Sequence, residues 1–211
     1  MKSRRIRPVN MLNLQSGIEY LFKHFREQNM PAEGEWDFHN SLYEELTHER
    51  RSGLDVTFWQ FLVDELARWK AFRPFTKKFT YEMGLERLER LRTHYAPLSA
   101  CCTRLDYGLD QINWLDVRPL FEVAAEIKPV SSPVFASKLC HFLCPSIFPV
   151  YDTTLVKTGK IVYREYWTEC KKGWEEAPEK DALIQKLKQN ISEGTYDYYP
   201  WSTKIFELCQ Y

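Results

Sequence analysis

Residues 136–156 read ASKLCHFLCPSIFPVYDTTLV, and this stretch sets the local plan of the chain. Its first half is a mostly apolar segment with helical spacing that carries one lysine, Lys138. A turn bounded by Pro145 and Pro149 follows. Asp152 then stands where a second apolar segment begins, which is the position of a helix N-cap. We therefore predict a buried helix, a tight corner, and an acid at the start of the next helix.

Apolar residues recur at helical spacing over most of the remaining chain. We predict helices over residues 13–29, 37–51, 55–69, 80–94, 109–118, 119–127, 134–143 and 178–192, with a short one near the C-terminus. Either Asp55 or Thr57 caps the third of these. Residues 97–108 are predicted as a connection, and helix and strand signals conflict over 152–174. With only 8 Gly and no pair of alternating strands, the sequence predicts an all-α fold, a compact multi-helix domain.

Length and connections bound the domain organisation. A chain of 211 residues is long enough for a sizeable core, and short connections favour one compact body over two tethered ones. We predict a basic N-terminal arm over residues 1–10 and a single helical domain over residues 11–211, in one or two lobes.

Charge and aromatic content constrain the partners. The chain has 29 basic and 29 acidic residues, so it lacks the overall basic excess of a typical nucleic-acid binder, although a local basic face stays open. Aromatic residues make up 15% of the chain. Such a content fits either a dense core or a surface on which bases stack.

Cysteine usage and the absence of long apolar runs indicate a cytoplasmic protein. Six Cys without regular spacing, and no secretion signal, predict free thiols in a reducing compartment. No run approaches the ~18 apolar residues of a membrane helix, so no membrane association is predicted. Cys140, His141 and Cys144 are too few to complete a zinc site, and we predict buried thiols, no metal and no cofactor. Cys101 and Cys102 are interpreted in the same way.

Lys138 and Asp152 are the first candidates for chemistry. A lysine on a partly buried helix can act as an amine nucleophile. An aspartate at a helix start stays ionised, so it can stabilise a developing cation or orient a water. The structural alternatives are that Asp152 is only an N-cap and that Lys138 is a surface residue.

The stretch from Ile127 to Val156 resembles the core of the helix-hairpin-helix DNA glycosylase superfamily. In that family a hairpin and a helix precede a short turn and a Pro-Val-Asp-Thr-His-like sequence, whose aspartate is catalytic. Residues 148–156 read FPVYDTTLV and resemble this second half. The resemblance implies the family fold and a role for Asp152 as the catalytic acid that stabilises an oxocarbenium-like sugar while the base leaves. Lys138 lies on the helix that carries the lysine of lyase-competent members, which implies an amine nucleophile or a phosphate contact.

Several positions depart from the family pattern. The hairpin segment, residues 127–133, has no glycine, and Lys138 falls more than a turn later than the family spacing. Tyr151 is an additional residue before Asp152, and Thr154 stands where histidine is common. The stretch also resembles uncharacterised bacterial proteins whose core reads Ser-Lys-Leu-Leu followed by two prolines and an aspartate; the corresponding residues 137–140 read SKLC here.

A second candidate is the basic and aromatic stretch 68–79, RWKAFRPFTKKF. Cations pair with phosphates and rings stack on bases, so this stretch suits a nucleic-acid groove. The predicted phosphate contacts are Arg68, Lys70, Arg73, Lys77 and Lys78. The alternative is a helix end with cations near its C-terminus and aromatic rings in the core.

Together these patterns favour a nucleic-acid-binding protein that resembles DNA glycosylases and, if active, cleaves an N-glycosidic bond as a hydrolase. The alternative is a non-enzymatic helical module that binds a protein partner or DNA, which the glycine-free hairpin favours. The aromatic stretch 196–201 is predicted to pin the C-terminus to the body of the protein.

Overall fold

The computed structural model describes residues 6–27, 40–50, 53–69, 71–72, 76–102, 107–128, 132–151, 162–191 and 193–211. Regular structure within these ranges is entirely helical, which confirms the all-α prediction. The ten α-helices are α1 Met11–Glu27, α2 Asn40–Glu49, α3 Val56–Arg68, α4 Lys77–Leu85, α5 Leu88–Cys102, α6 Trp114–Ala125, α7 Pro133–Leu143, α8 Tyr163–Glu175, α9 Lys180–Lys188 and α10 Trp201–Cys209. Short 3₁₀ turns cover Leu109–Gln111 and Glu193–Tyr198.

Side-chain caps set the starts of three helices. Asp55 accepts a hydrogen bond from the backbone N–H of Phe58 at 2.8 Å, so it is the cap of α3, one of the two residues predicted for that role. Thr76 caps α4 and Ser132 caps α7 in the same way. Each cap satisfies a backbone donor that has no partner inside its helix.

Two prolines that were predicted to bound helices lie inside them instead. α5 continues through Pro97 to Cys102, because Leu91, Tyr95 and Leu98 are buried along one face and packing outweighs the lost hydrogen bond. α6 includes Pro119 and starts at Trp114, where the Asp116 carboxylate accepts the N–H of Asn113 at 3.2 Å. The predicted helix 80–94 is split into α4 and α5.

α7 is the central helix of the fold. Eight of its eleven residues are buried, and it packs against both α6 and α3. Such burial on all sides is typical of a helix in the interior of a domain. The helices that form the candidate site described below contact α7 or the segment that follows α7.

The two ends of the chain meet at α10. Gly17 of α1 approaches Leu208 so closely that a Cβ at this position would lie 1.9 Å from the Leu208 carbonyl oxygen. The Arg7 N–H donates to Gln210 Oε1 at 2.9 Å, so residues 6–10 of the predicted basic arm pack on this helix. The Tyr199 ring is buried 5.5 Å from Tyr43, as expected for a C-terminal clasp.

The free-thiol prediction is wrong for two of the six cysteines. Cys102 and Cys144 form a disulfide with a Cα–Cα distance of 4.9 Å. The extension of α5 beyond its predicted end brings Cys102 to the C-cap of α7, which sequence spacing could not indicate. Cys101, Cys140, Cys170 and Cys209 are free. No helix within the described ranges is long and apolar enough to cross a membrane.

A candidate active site at the corner after α7

The corner, defined as residues 145–151, is an irregular segment inside the protein. α7 ends at Leu143, Cys144 caps it, and the chain then turns through residues 145–147 before it extends to Tyr151. All corner residues except Ser146 are buried. A buried segment without a helix or sheet leaves its carbonyl groups without regular partners, and each unpaired group would cost about 1–3 kcal/mol.

Side chains from three helices satisfy six successive carbonyl groups of the corner. The donors are Thr203 Oγ1 to Pro145 (2.8 Å), Ser202 Oγ to Ser146 (3.4 Å), Trp167 Nε1 to Ile147 (2.9 Å), His141 Nδ1 to Phe148 (2.7 Å), Tyr163 OH to Pro149 (2.9 Å) and Tyr166 OH to Val150 (2.9 Å). At the end of the corner, Ser137 Oγ accepts the N–H of Tyr151 at 3.0 Å. The backbone is thus held residue by residue up to Tyr151.

His141 is a neutral, doubly bonded core residue. Its Nδ1 must carry the proton, because the Phe148 carbonyl oxygen can only accept. Its Nε2 therefore accepts from the Tyr43 hydroxyl, 2.7 Å away. Burial, and then the positive charge of Lys204, lower the pKa of His141 to about 3, although the bond to Phe148 opposes the shift. The ring is accordingly a fixed hydrogen-bond bridge rather than a general base at neutral pH.

An aromatic wall connects the corner to a surface cleft. Tyr151 makes edge contacts with Tyr163 and Tyr166, at centroid distances of 6.3 and 5.1 Å. Tyr163 in turn stacks on Phe121 at 4.2 Å, and Trp114 lies 5.9 Å from Tyr163. Tyr163 therefore belongs to both regions, because its hydroxyl donates a hydrogen bond to the corner and the residue is part of the cleft wall.

The cleft has a volume of about 420 Å³ and combines aromatic rings with two guanidinium groups. Its walls are Trp114, Arg118, Phe121, Glu122, Pro133, Val162, Tyr163 and Arg164. Arg118 pairs with Glu122 at 2.7 Å, and Val162 at the rim is exposed. Because these residues come from α6, α7 and α8, no local sequence pattern indicated them.

The structure describes only one of the two predicted catalytic residues. Lys138 lies on α7, half-buried, directly after Ser137. Asp152 lies outside the described residues, and the last described residue before it is Tyr151. Ser137 and Tyr151 are joined by a hydrogen bond, and each is followed in the sequence by one of the two candidates, Lys138 and Asp152.

A second lysine near Lys138 was not predicted as a site residue. Lys128 follows α6, is 4% exposed, and donates to the Ala71 carbonyl at 2.6 Å. Its ammonium group also lies 4.6 Å from the centre of the Phe135 ring. Burial, and then the positive charge of Lys138, lower the pKa of Lys128 to about 8. The only sequence signal was a lysine next to apolar Ile127 in the hairpin segment.

The basic and aromatic stretch 68–79 packs against α7, and its described cations face acids. Trp69 contacts Phe142 at 4.7 Å, and Phe72 lies 6.3 Å from Phe135. The cations pair as Arg68 with Glu65 (2.7 Å), Lys77 with Asp64, and Lys78 with Glu82 (3.9 Å). Lys70 and Arg73 lie outside the described residues. Trp69 and Phe72 thus pack in or against the core, while the described charges of the stretch are balanced by neighbouring carboxylates.

No protein-family model, curated protein or solved structure is significantly similar to this chain. Across the part of the chain that the structure describes, no three His, Cys, Asp or Glu side chains lie together as metal ligands. Functional assignment therefore rests on the corner, the aromatic wall and the cleft.

Proposed function

We propose that the protein binds nucleic acid and cleaves an N-glycosidic bond, with Asp152 as the acid. The supporting observation is the set of six side-chain donors that hold the carbonyl groups of residues 145–150. A carboxylate that stabilises an oxocarbenium-like sugar is effective only when its position is fixed before the reaction. These hydrogen bonds hold the backbone as far as Tyr151, the residue before Asp152, and this supports the proposal.

Lys138 is the second member of the proposed site. Ser137 bonds the backbone of Tyr151, so Lys138 and Asp152 each follow one partner of the same hydrogen bond. In this proposal Lys138 contacts a phosphate or acts as the amine nucleophile, while Asp152 carries the negative charge.

The cleft supports a nucleic-acid substrate over other glycosides. Trp114 and Phe121 are aromatic rings of its walls on which a base can stack, and Arg164 offers a guanidinium group for phosphate oxygens, whereas Arg118 is paired with Glu122. Its volume of about 420 Å³ is in the range of small-molecule pockets. A nucleotide flipped out of a duplex has a base that can stack on a ring and a phosphate that can bind a guanidinium group.

The test is base release from a panel of duplexes, each with one damaged or mismatched base, read as strand breaks after alkali. Wild type and Asp152→Asn are expected to bind the same duplex with the same salt dependence. The variant should release the base at least ~100-fold more slowly, the usual scale for the loss of transition-state electrostatic stabilisation. Base release by Asp152→Asn at the wild-type rate would contradict the proposal.

Tyr166→Phe tests whether the corner positions the acid. Loss of the hydroxyl that bonds Val150 should reduce kcat and leave duplex affinity unchanged. Tyr81→Phe is the matched control, because the Tyr81 hydroxyl makes no hydrogen bond within the described ranges. Equal losses in affinity and kcat would instead indicate a general loss of folded protein.

A non-enzymatic module is the second candidate, and the charge balance favours it. Arg68, Lys77 and Lys78 are each paired with an acid, and the chain as a whole has no net charge. Exposed Leu115 and Val162, at 71% and 62%, offer apolar contacts of the kind that protein partners use. Absence of salt-sensitive binding to any duplex would select this candidate over the first.

A further inference from the structure

A second pocket lies between the end of α2, the start of α3 and one face of α5. It has a volume of about 490 Å³. Its walls are Arg50, Gly53, Leu54, Asp55, Arg92, Tyr95, Ala96 and Ser99. None of these residues belongs to the corner or to the cleft beside it.

Arg50 is a buried cation whose charge has no carboxylate partner in the described structure. It is 6% exposed, and its Nη2 donates to the Phe142 carbonyl at 2.8 Å. Nη1 lies 3.5 Å from Thr47 Oγ1, and the buried Nε atom has no hydrogen-bond partner among the described residues. Burial lowers the pKa of Arg50 to about 10, so the guanidinium is still charged at neutral pH. A buried charge of this kind is costly unless a counter-charge compensates it.

Two further donors line the same pocket. Tyr95 is 3% exposed, and its hydroxyl makes no hydrogen bond within the part of the chain that the structure describes. Arg92, half exposed, donates its Nε to the Leu54 carbonyl at 2.9 Å and pairs with Glu89. Two guanidinium groups and a phenol thus converge on one pocket, which is a donor set suited to an oxyanion.

Asp55 is the one carboxylate among the pocket residues. One of its oxygens caps α3 by accepting the N–H of Phe58 at 2.8 Å, so the carboxylate is already engaged by a helix N-terminus. Arg92 is already paired with Glu89, so Arg50 is the cation of these walls that has no carboxylate partner among the described residues. The pocket therefore attracts anions.

We propose that this pocket binds the phosphate group of a small phosphorylated molecule, with Arg50, Arg92 and Tyr95 as its donors. The depth of Arg50 favours a small molecule, because a duplex backbone lying on the surface does not reach a side chain that is 6% exposed. The volume exceeds that of a phosphate alone and leaves room for the body of the ligand. This site is independent of the function proposed for the corner.

The test is calorimetric titration of the full chain with glycerol 3-phosphate, with glycerol as the ligand that lacks the phosphate. Wild type is expected to bind the former saturably and the latter not at all. Tyr95→Phe and Arg92→Gln should each weaken binding at least about tenfold, because each removes a donor to a charged acceptor. Arg50→Met is not used, since loss of the bond to Phe142 risks unfolding.

Arg90→Gln and Tyr81→Phe are the matched controls and should bind as wild type does. Arg90 is an exposed, ion-paired arginine on the same helix as Arg92. No binding by wild type at about 10 mM ligand, or equal binding by wild type, Tyr95→Phe and Arg92→Gln, would overturn the proposal. Displacement of glycerol 3-phosphate by undamaged duplex DNA would also overturn it, because the phosphate site would then belong to a nucleic-acid interface.

Discussion

The corner and the basic stretch 68–79 were both selected for their chemistry, and the structure treats them in opposite ways. The corner is buried, and neutral side chains hold six of its carbonyl groups. The described cations of the basic stretch are exposed and pair with acids, of which Glu65 is buried. Buried hydrogen bonds cost about 1–3 kcal/mol each when broken, whereas exposed ion pairs contribute about 0–1 kcal/mol. Stability should therefore respond strongly to changes around the corner and weakly to changes at Lys77 and Lys78, two exposed lysines of the stretch.

The largest expected effect is at the covalent start of the corner. Reduction of the Cys102–Cys144 disulfide opens a loop with a sequence separation of 42, and chain entropy alone predicts a loss of about 4 kcal/mol in the free energy of unfolding. Urea unfolding with and without reductant measures this difference. Cys102→Ala should unfold like reduced wild type.

Cys101→Ala is the control for the disulfide, because Cys101 is the free neighbour of Cys102. This variant should retain the full response to reductant. If wild type unfolds at the same urea concentration with and without reductant, the disulfide does not stabilise the folded protein.

His141→Phe is the next strongest way to disturb the corner. It leaves two buried groups, the Tyr43 hydroxyl and the Phe148 carbonyl, without their partner. We expect a loss of about 3 kcal/mol in the free energy of unfolding, measured in urea at pH 7.5. His48→Phe, at an exposed position on α2, should change it by less than about 0.5 kcal/mol. Similar losses for both variants would remove the contrast between buried and exposed positions.

The pH dependence of stability follows from the same residue. His141 has a pKa of about 3 in the folded state against an ordinary value of 6.5, so only the unfolded chain takes up its proton between these values. Stability from His141 is therefore present above pH 6.5 and is lost as pH falls, by up to about 1.4 kcal/mol per pH unit. At pH 5 the loss should be about 2 kcal/mol in wild type and absent in His141→Phe. Parallel pH profiles for the two proteins would contradict this assignment.

The sequence predicted the local features of the corner and could not predict what holds it. Helical spacing placed α7 within one residue of its observed start, and the prolines marked the turn after it. The donors to the corner, by contrast, come from α7, α8 and α10 and include residues up to 58 positions away. A contact between distant residues leaves no periodic signal in a single sequence.

Buried charges were the main gap in the predicted site. Lys128 and Arg50 are indistinguishable by sequence pattern from surface cations, yet both are buried and donate to backbone carbonyl groups. Lys128 reaches the carbonyl of Ala71 after α3 and Arg50 reaches that of Phe142 on α7, and only the fold brings these residues together. The pairing of Lys77 with Asp64 is likewise a contact between α4 and α3, so the pattern of residues 68–79 alone could not indicate it.

Lys78→Gln is expected to have the smallest effect and defines the other side of the comparison. The Lys78 side chain is 84% exposed, and its ammonium group lies 3.9 Å from Glu82 Oε1. Loss of this pair should change the free energy of unfolding by less than about 0.5 kcal/mol in urea, with the matched variant Glu82→Gln showing the same small change. A loss above about 1 kcal/mol would mean that the stretch is organised as tightly as the corner. Duplex binding gives a second measurement on Lys78→Gln. If the magnitude of the slope of log Kobs against log salt falls by about 0.9 while stability is unchanged, Lys78 leaves its carboxylate partner and contacts a phosphate in the complex. The stretch would then contribute to duplex binding, whereas the corner would hold the backbone in place before Asp152.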